Sequence, residues 1–207
     1  MGRSQRWERH TYQATTLKDL GMVVRLGHGA DRSACSNPVS RTSFTIVDLN
    51  GHHIVALEFC GCDKAGVAGD HAQQLLRHRL YPATDIDPNT AFTFSLLEHY
   101  HIQSLQGKIS MYDYYTSLER LTDNTGTRRM SDRYRAFMRV AAQWRHLKRL
   151  KRSGRGHDPD GVDGTQAGEL AVRCPACPRP NINLPPNWRT VSDDLQYVQF
   201  DPLFAPC

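Results

Sequence analysis

The sequence predicts an α+β protein: a small antiparallel β-sheet domain, then a helical region, then a compact turn unit built on a Cys-x-x-Cys pair. Three observations predict it. Two β-branched runs, FTIVDL and HHIVALEF, flank Asn50-Gly51; this is the strongest short-range hairpin signal, because a type I′ turn needs φ > 0 at both central residues. Apolar residues then recur at helical spacing through most of residues 91–155. Finally, RCPACPRPNINLPPNW crowds Pro and Asn around Cys174 and Cys177. The 207 residues divide accordingly into a tail (1–14), a β domain (15–90), a helical region (91–155), and a loop with the CPACP unit (156–207).

Taken in order, Thr16-Leu-Lys-Asp19 is a capping box that opens a short helical turn, which Gly21 ends. MVVRL (22–26) reads as a strand, and a Gly/Ser/Asn/Pro-rich loop runs from Gly27 to about Ser40. The hairpin follows. Asp70 caps HAQQLLRHRL, which must stop before Pro82. Thr90 is placed to cap a helix to Gly107, with Phe94, Leu97, Tyr100 and Leu105 as its stripe. Ser110-x-x-Asp113 is a second capping box, before MYDYYTSLERLTD. Ser131 opens the longest helix, which Gly154 ends and whose apolar positions are Tyr134, Phe137, Met138, Ala141, Trp144 and Leu147.

Composition narrows the function classes. A hydrophobic content of 39% and a mean hydropathy of −0.56 are low for one deep core, so something besides apolar burial is expected to help hold the chain together. MGRSQRWERH lacks the apolar run of a secretory signal, and Arg6 breaks the myristoylation pattern. No apolar stretch nears the roughly 20 residues of a membrane span. No export, membrane partner or small-molecule substrate is expected. Reducing compartments keep thiols free, so six cysteines, four of them in the close pairs Cys60/Cys62 and Cys174/Cys177, point to metal rather than disulfides.

Cys60 and Cys62 are spaced C-x-C on a strand, where alternation turns both side chains to one face. A two-residue Asn50-Gly51 turn would set Cys60 opposite Arg41 and Cys62 opposite Val39, with Cys35 just beyond on the incoming chain. Three thiols would then gather at the sheet end away from the turn. Zn2+ in a structural site takes four tetrahedral ligands. His53 sits by the turn, seven residues and about 23 Å from Cys60 at roughly 3.3 Å per residue. His28 enters the loop that carries Cys35, at the right end if the first strand pairs antiparallel with the second; His71 is the other option. The expected ligands are His28, Cys35, Cys60 and Cys62. CPAC supplies half of a second site at Cys174 and Cys177, with Cys207, His157 or an external ligand to complete it; a tight turn bearing two free thiols is the alternative.

Residues 128–155 hold eleven Lys/Arg against Asp132 alone, while the rest of the chain holds 15 Lys/Arg against 20 Asp/Glu. Like charges repel, so such a one-sided helix implies a polyanion. Non-specific contacts to DNA backbone are expected from Arg139, Arg145, Lys148, Arg149, Lys151, Arg152 and Arg155. A nuclear-localisation signal in HLKRLKRSGR fits the same residues.

These motifs together resemble one family. TTLKDLGMVVRLGH, Cys35-Ser-Asn-Pro, FTIVDLNGHHIVALEFCGC, QQLLRHRLYPAT, TAFTF, YDYY, LTDN, WRHLKRLKRSGRGHDPDG and GELAVRCPACPRPNINLPPNW are similar, in order, to the cysteine-cluster region of the C-x-C type associated with KDZ (Kyakuja-Dileera-Zisupton) transposases of fungi. The resemblance implies a zinc-binding cluster and a helical region leading into an RNase H-like transposase core, with DNA and other transposase subunits as partners and a nuclear location. The family's Gly-Ile-His is here Gly51-His52-His53, which makes His53 an alternative ligand. After Trp188 the chain departs from the family and reads RTVSDDLQYVQFDPLFAPC, so no catalytic carboxylates are carried over. The expectation is a non-enzymatic N-terminal region, from a truncated or decayed copy. A zinc-stabilised protein-interaction module with a nuclear-localisation helix is the second expectation.

Overall fold

The computed structural model describes residues 5–8, 11–27, 35–62, 69–125 and 131–170, with 184, 186–187 and 189–190. Its strands are β1 Gln5–Glu8, β2 Thr11–Ala14, β3 Val23–Arg25, β4 Pro38–Asp48, β5 Gly51–Cys60, β6 Leu80–Pro82 and β7 Thr90–Thr93. Its helices are α1 His71–Arg77, α2 Phe94–Gln106, α3 Met111–Thr122 and α4 Tyr134–Arg152. Among the described residues no helix is long and apolar enough to cross a membrane. The α+β class holds. Contacts divide the chain into two units, Met1–Leu147 and Lys148–Cys207.

In the first unit the sheet order is β3-β5-β4-β7-β6. The β4–β5 hairpin is antiparallel, as expected, but β3 runs parallel to β5 and β7 parallel to β4, so the sheet is mixed. Strand alternation gives it two buried faces. Phe44, Val55, Leu57, Phe59 and Ala91 pack with Leu26 and with Leu75 of α1. On the opposite face, Val47 and Phe92 pack with Leu96, Leu97 and Tyr100 of α2, Tyr114, Tyr115 and Leu118 of α3, and Phe137, Val140 and Ala141 of α4. The sheet therefore shares one core with α1 and, on its other face, a second with α2, α3 and α4. The expected boundary near residue 90 falls at the start of β7, a strand that pairs with both β4 and β6. The expected tail, likewise, contains the separate β1–β2 hairpin.

Local signals explain most element ends. Ser110 accepts a hydrogen bond from the Asp113 N–H and donates to the Asp113 carboxylate, which completes the capping box. The Thr16/Asp19 box forms in the same way. Asp70 caps α1 through the Gln73 N–H, but the helix ends at Arg77, and Arg79 in a left-handed conformation (φ 59) turns the chain into β6. Thr93, not Thr90, caps α2, because Thr90 and its neighbours are taken by the sheet. Leu105, expected on the stripe of α2, is 60% exposed.

The hairpin turn also differs from the expectation. Asp48 faces Gly51, so Leu49 and Asn50 form the turn and Gly51 opens β5. Among the described non-glycine residues only Arg79, Asp87 and Lys108 have positive φ, so Asn50 is not in the left-handed region a type I′ turn requires. Gly51 carries the unusual geometry instead, with φ +119 and space for no Cβ: one would lie 2.4 Å from Thr122 Oγ1. That hydroxyl accepts from the His52 N–H at 2.8 Å and donates to Leu118 O at 2.7 Å, which ties the hairpin tip to the end of α3.

In the second unit, α4 ends at Gly154 (φ 77), and a single 3-10 turn, Arg155–His157, begins a series of turns. Arg155 closes that series by donating to Asp158 at 2.8 Å and pairing with Glu169 at 3.5 Å.

Candidate metal centre

The register of the hairpin decides which residues meet at its open end. The turn at Leu49-Asn50 shifts the expected register by two residues and a bulge between Arg41 and Phe44 by one more, so Pro38 rather than Arg41 faces Cys60. Cys35, three residues upstream of Pro38, is thereby brought level with the residues just past Cys60. The pairing continues one step beyond the strands: the Gly61 N–H donates to Asn37 O at 3.1 Å, and Asn37 Nδ2 donates to Gly61 O at 3.3 Å. Gly61 is the middle residue of C-x-C for a steric reason. A Cβ there would lie 2.6 Å from Val39 Cγ2 and 3.1 Å from Asn37 O.

The three sulfurs converge. Cys35 Sγ is 3.6 Å from Cys60 Sγ, Cys60 Sγ is 3.4 Å from Cys62 Sγ, and all three lie within 4.8 Å of one another. A tetrahedral zinc with bonds of about 2.3 Å separates its sulfur ligands by about 3.8 Å, so the Cys35–Cys60 and Cys60–Cys62 pairs are within a few tenths of an ångström of the spacing such an ion sets. Their protonation is uneven. Burial pushes the Cys35 thiol up, but hydrogen bonds from the Asn37 and Gly61 N–H groups and from the other two thiols outweigh it and bring it down to about 6. Burial, chiefly, raises Cys60 to about 11. One ready thiolate beside a buried thiol is a donor set that a soft-accepting divalent ion completes by displacing protons.

The structure separates the candidate histidines from this group. His53 pairs with Ile46 near the turn, and its Nε2 lies 2.6 Å from Asn50 Oδ1, so it stays at the far end of β5. His71, at the start of α1, stacks on the ring of Phe59 with centroids 4.1 Å apart. Neither joins the cluster of ligand atoms. His28 lies outside the described residues. The geometric reason given for it changes: β3 does not pair with β4 but lies parallel to β5. It still ends at the Cys60 end, with the Leu26 N–H donating to Glu58 O at 2.9 Å. Cys174, Cys177 and Cys207 also lie outside the described residues, and His157 sits in the 3-10 turn of the second unit.

The seven basic residues have unequal surroundings. Arg139 donates to Ala83 O at 2.8 Å; Arg145 donates to Ser104 Oγ at 3.0 Å and lies over the Tyr100 ring at 5.5 Å. Arg155 is held by Asp158 and Glu169. These three guanidinium groups serve the fold. Lys148 is half-buried, while Arg149, Lys151 and Arg152 are exposed in the last turns of α4, where cations also favour the negative end of the helix dipole.

Two amide side chains around the cluster were not singled out in the sequence. Asn37 is one. The other is Gln74, only 2% exposed, which accepts from the Cys60 N–H and donates to Cys60 O and Gly69 O. A Gln inside a helical pattern gives no signal. Asn37 had only the turn-forming habit of Asn-Pro to mark it.

Among protein families, the one described as CxC2 like cysteine cluster associated with KDZ transposases matches residues 17–126. No curated protein and no solved structure matches.

Proposed function

The chain belongs to the CxC2 like cysteine clusters associated with KDZ transposases, and from that premise we propose that it is a zinc-organised, non-catalytic module that holds DNA backbone for a transposase in the nucleus. Convergence of Cys35, Cys60 and Cys62 to within 4.8 Å is the observation that carries the reading. A structural Zn2+ would be held by these three thiolates, with His28 as the proposed fourth donor. Its chemistry there is to cross-link the end of β5 to the chain entering β4, which supplies folding free energy that a modest apolar core lacks.

The DNA contacts are assigned to Arg149, Lys151 and Arg152, exposed cations in the last turns of α4. They carry no base-reading arrangement, so the expected binding is sequence-independent and driven by counterion release. Fluorescence anisotropy with an arbitrary duplex, measured from low to moderate salt, tests it. Replacing the three cations by Gln should weaken low-salt binding and flatten the log K against log[salt] slope by about 2–3, at roughly 0.9 per phosphate contact. An unchanged affinity and slope would overturn the DNA assignment and leave the same cations to a localisation signal on a protein-interaction module.

A further inference from the structure

We infer that Gln74 is the positioning residue of the metal centre, holding the Cys60 peptide from α1 so that the three sulfurs share one vertex. The inference rests on the metal reading above. In a strand the N–H and C=O of one residue point to the same side, and those of residues two apart do so together. Glu58 bonds to the β3 side through Leu26, so the polar groups of Cys60 face that side too. Among the described residues, however, β3 pairing stops at Arg25 and Glu58, and no strand faces Cys60 there. Gln74 takes the place of the missing strand: its Oε1 accepts from the Cys60 N–H at 2.8 Å, and its Nε2 donates to Cys60 O at 3.2 Å.

The same Nε2 donates to Gly69 O at 2.9 Å. One buried amide thus fixes both the residue before Gly61-Cys62 and the residue at which the chain re-enters α1. Gly69 holds a φ of +80, which side-chain-bearing residues rarely adopt. A buried amide is costly unless its hydrogen bonds are made. The neighbouring helical position is filled by the wholly buried Leu75, so an apolar residue would suit the packing. The polar choice is explained by the ligand peptide it grips, the kind of outer support whose loss weakens metal binding 10–100-fold.

The test uses the full chain with Cys174→Ser and Cys177→Ser, so that the CPAC pair does not contribute. Zinc affinity is measured by chelator competition, and Co2+ is used as a spectroscopic probe of thiolate geometry. Gln74→Met, close in volume, and Gln74→Glu, which keeps only the acceptor for the Cys60 N–H, should each weaken zinc binding roughly 10–100-fold and shift the Co2+ thiolate bands. Leu75→Val, on the same helix, should lower stability while leaving affinity and spectrum unchanged. Wild-type affinity and spectrum in either folded Gln74 variant, or an equal change in Leu75→Val, would overturn the positioning role. Absence of any metal uptake by the unsubstituted Gln74 chain would instead remove the metal reading and this inference with it.

Discussion

Replacing Gly61 with Ala puts a methyl group between the two cysteines of the C-x-C pair, and its cost follows from two neighbours. The new Cβ would stand 2.6 Å from Val39 Cγ2 and 3.1 Å from Asn37 O. Carbon atoms prefer about 3.5–4.0 Å, so Val39 must retreat by about 1 Å. Overpacking of this degree costs typically 1–3 kcal/mol. Val39→Ala removes Cγ2; the next atom of that residue, Cβ, is an ordinary contact at 3.9 Å. Val39 is 39% exposed, so its own truncation should cost only about 0.5–1 kcal/mol. The double variant should then recover about 1–2 kcal/mol relative to the sum of the single changes, within the range found for contacting residues. Urea unfolding of all four proteins, zinc-loaded and chelated, measures the cycle. Additivity within about 0.5 kcal/mol would refute the steric account of this glycine. Gly156→Ala, where a Cβ meets open space, is the matching neutral control.

Two further outcomes follow from the hairpin tip. Gly51→Ala combines a strained φ of +119 with a Cβ 2.4 Å from Thr122 Oγ1, and should destabilise by roughly 2–4 kcal/mol, read as a lowered urea midpoint. His52 is lowered to about 4, first by burial and then by the charges of His53 and Arg133. The unfolded chain binds the proton from its ordinary value of 6.5, so this stability is full above that pH and is lost as pH falls toward 4. The loss is up to about 3 kcal/mol. His52→Phe should flatten the unfolding midpoint between pH 7 and 4.5, and an unchanged pH profile would contradict the assignment.

What could be read from the sequence was local chemistry. The boxes Thr16/Asp19 and Ser110/Asp113 are legible because the donor, the acceptor and their spacing lie within four residues. The grouping of Cys35, Cys60 and Cys62 was legible from strand alternation and from the presence of a hairpin. It survives a register that differs by three residues at Cys60, since Cys35 approaches along β4 in either case. The turn was misread because Asn-Gly serves two geometries: Gly51 at the start of β5 satisfies the positive φ without Asn50 sharing it. Thr90–Thr93 reads as a helix start because a four-residue segment has too little length to show a period; its partner Thr45–Val47 lies far up the chain, and the pairing is written nowhere nearby. Charge was legible as a count but not as an arrangement. Nothing in the order of residues shows that Arg139, Arg145 and Arg155 donate hydrogen bonds to Ala83, Ser104 and Asp158.

Metal content bears most directly on the whole account. Elemental analysis of purified full-length chain should find zinc, with Cys60→Ser/Cys62→Ser lowering it by one equivalent and destabilising the sheet unit, while Cys174→Ser/Cys177→Ser leaves that equivalent in place. A chain without zinc, or one whose zinc is unchanged by loss of Cys60 and Cys62, would contradict a metal centre at the end of the hairpin.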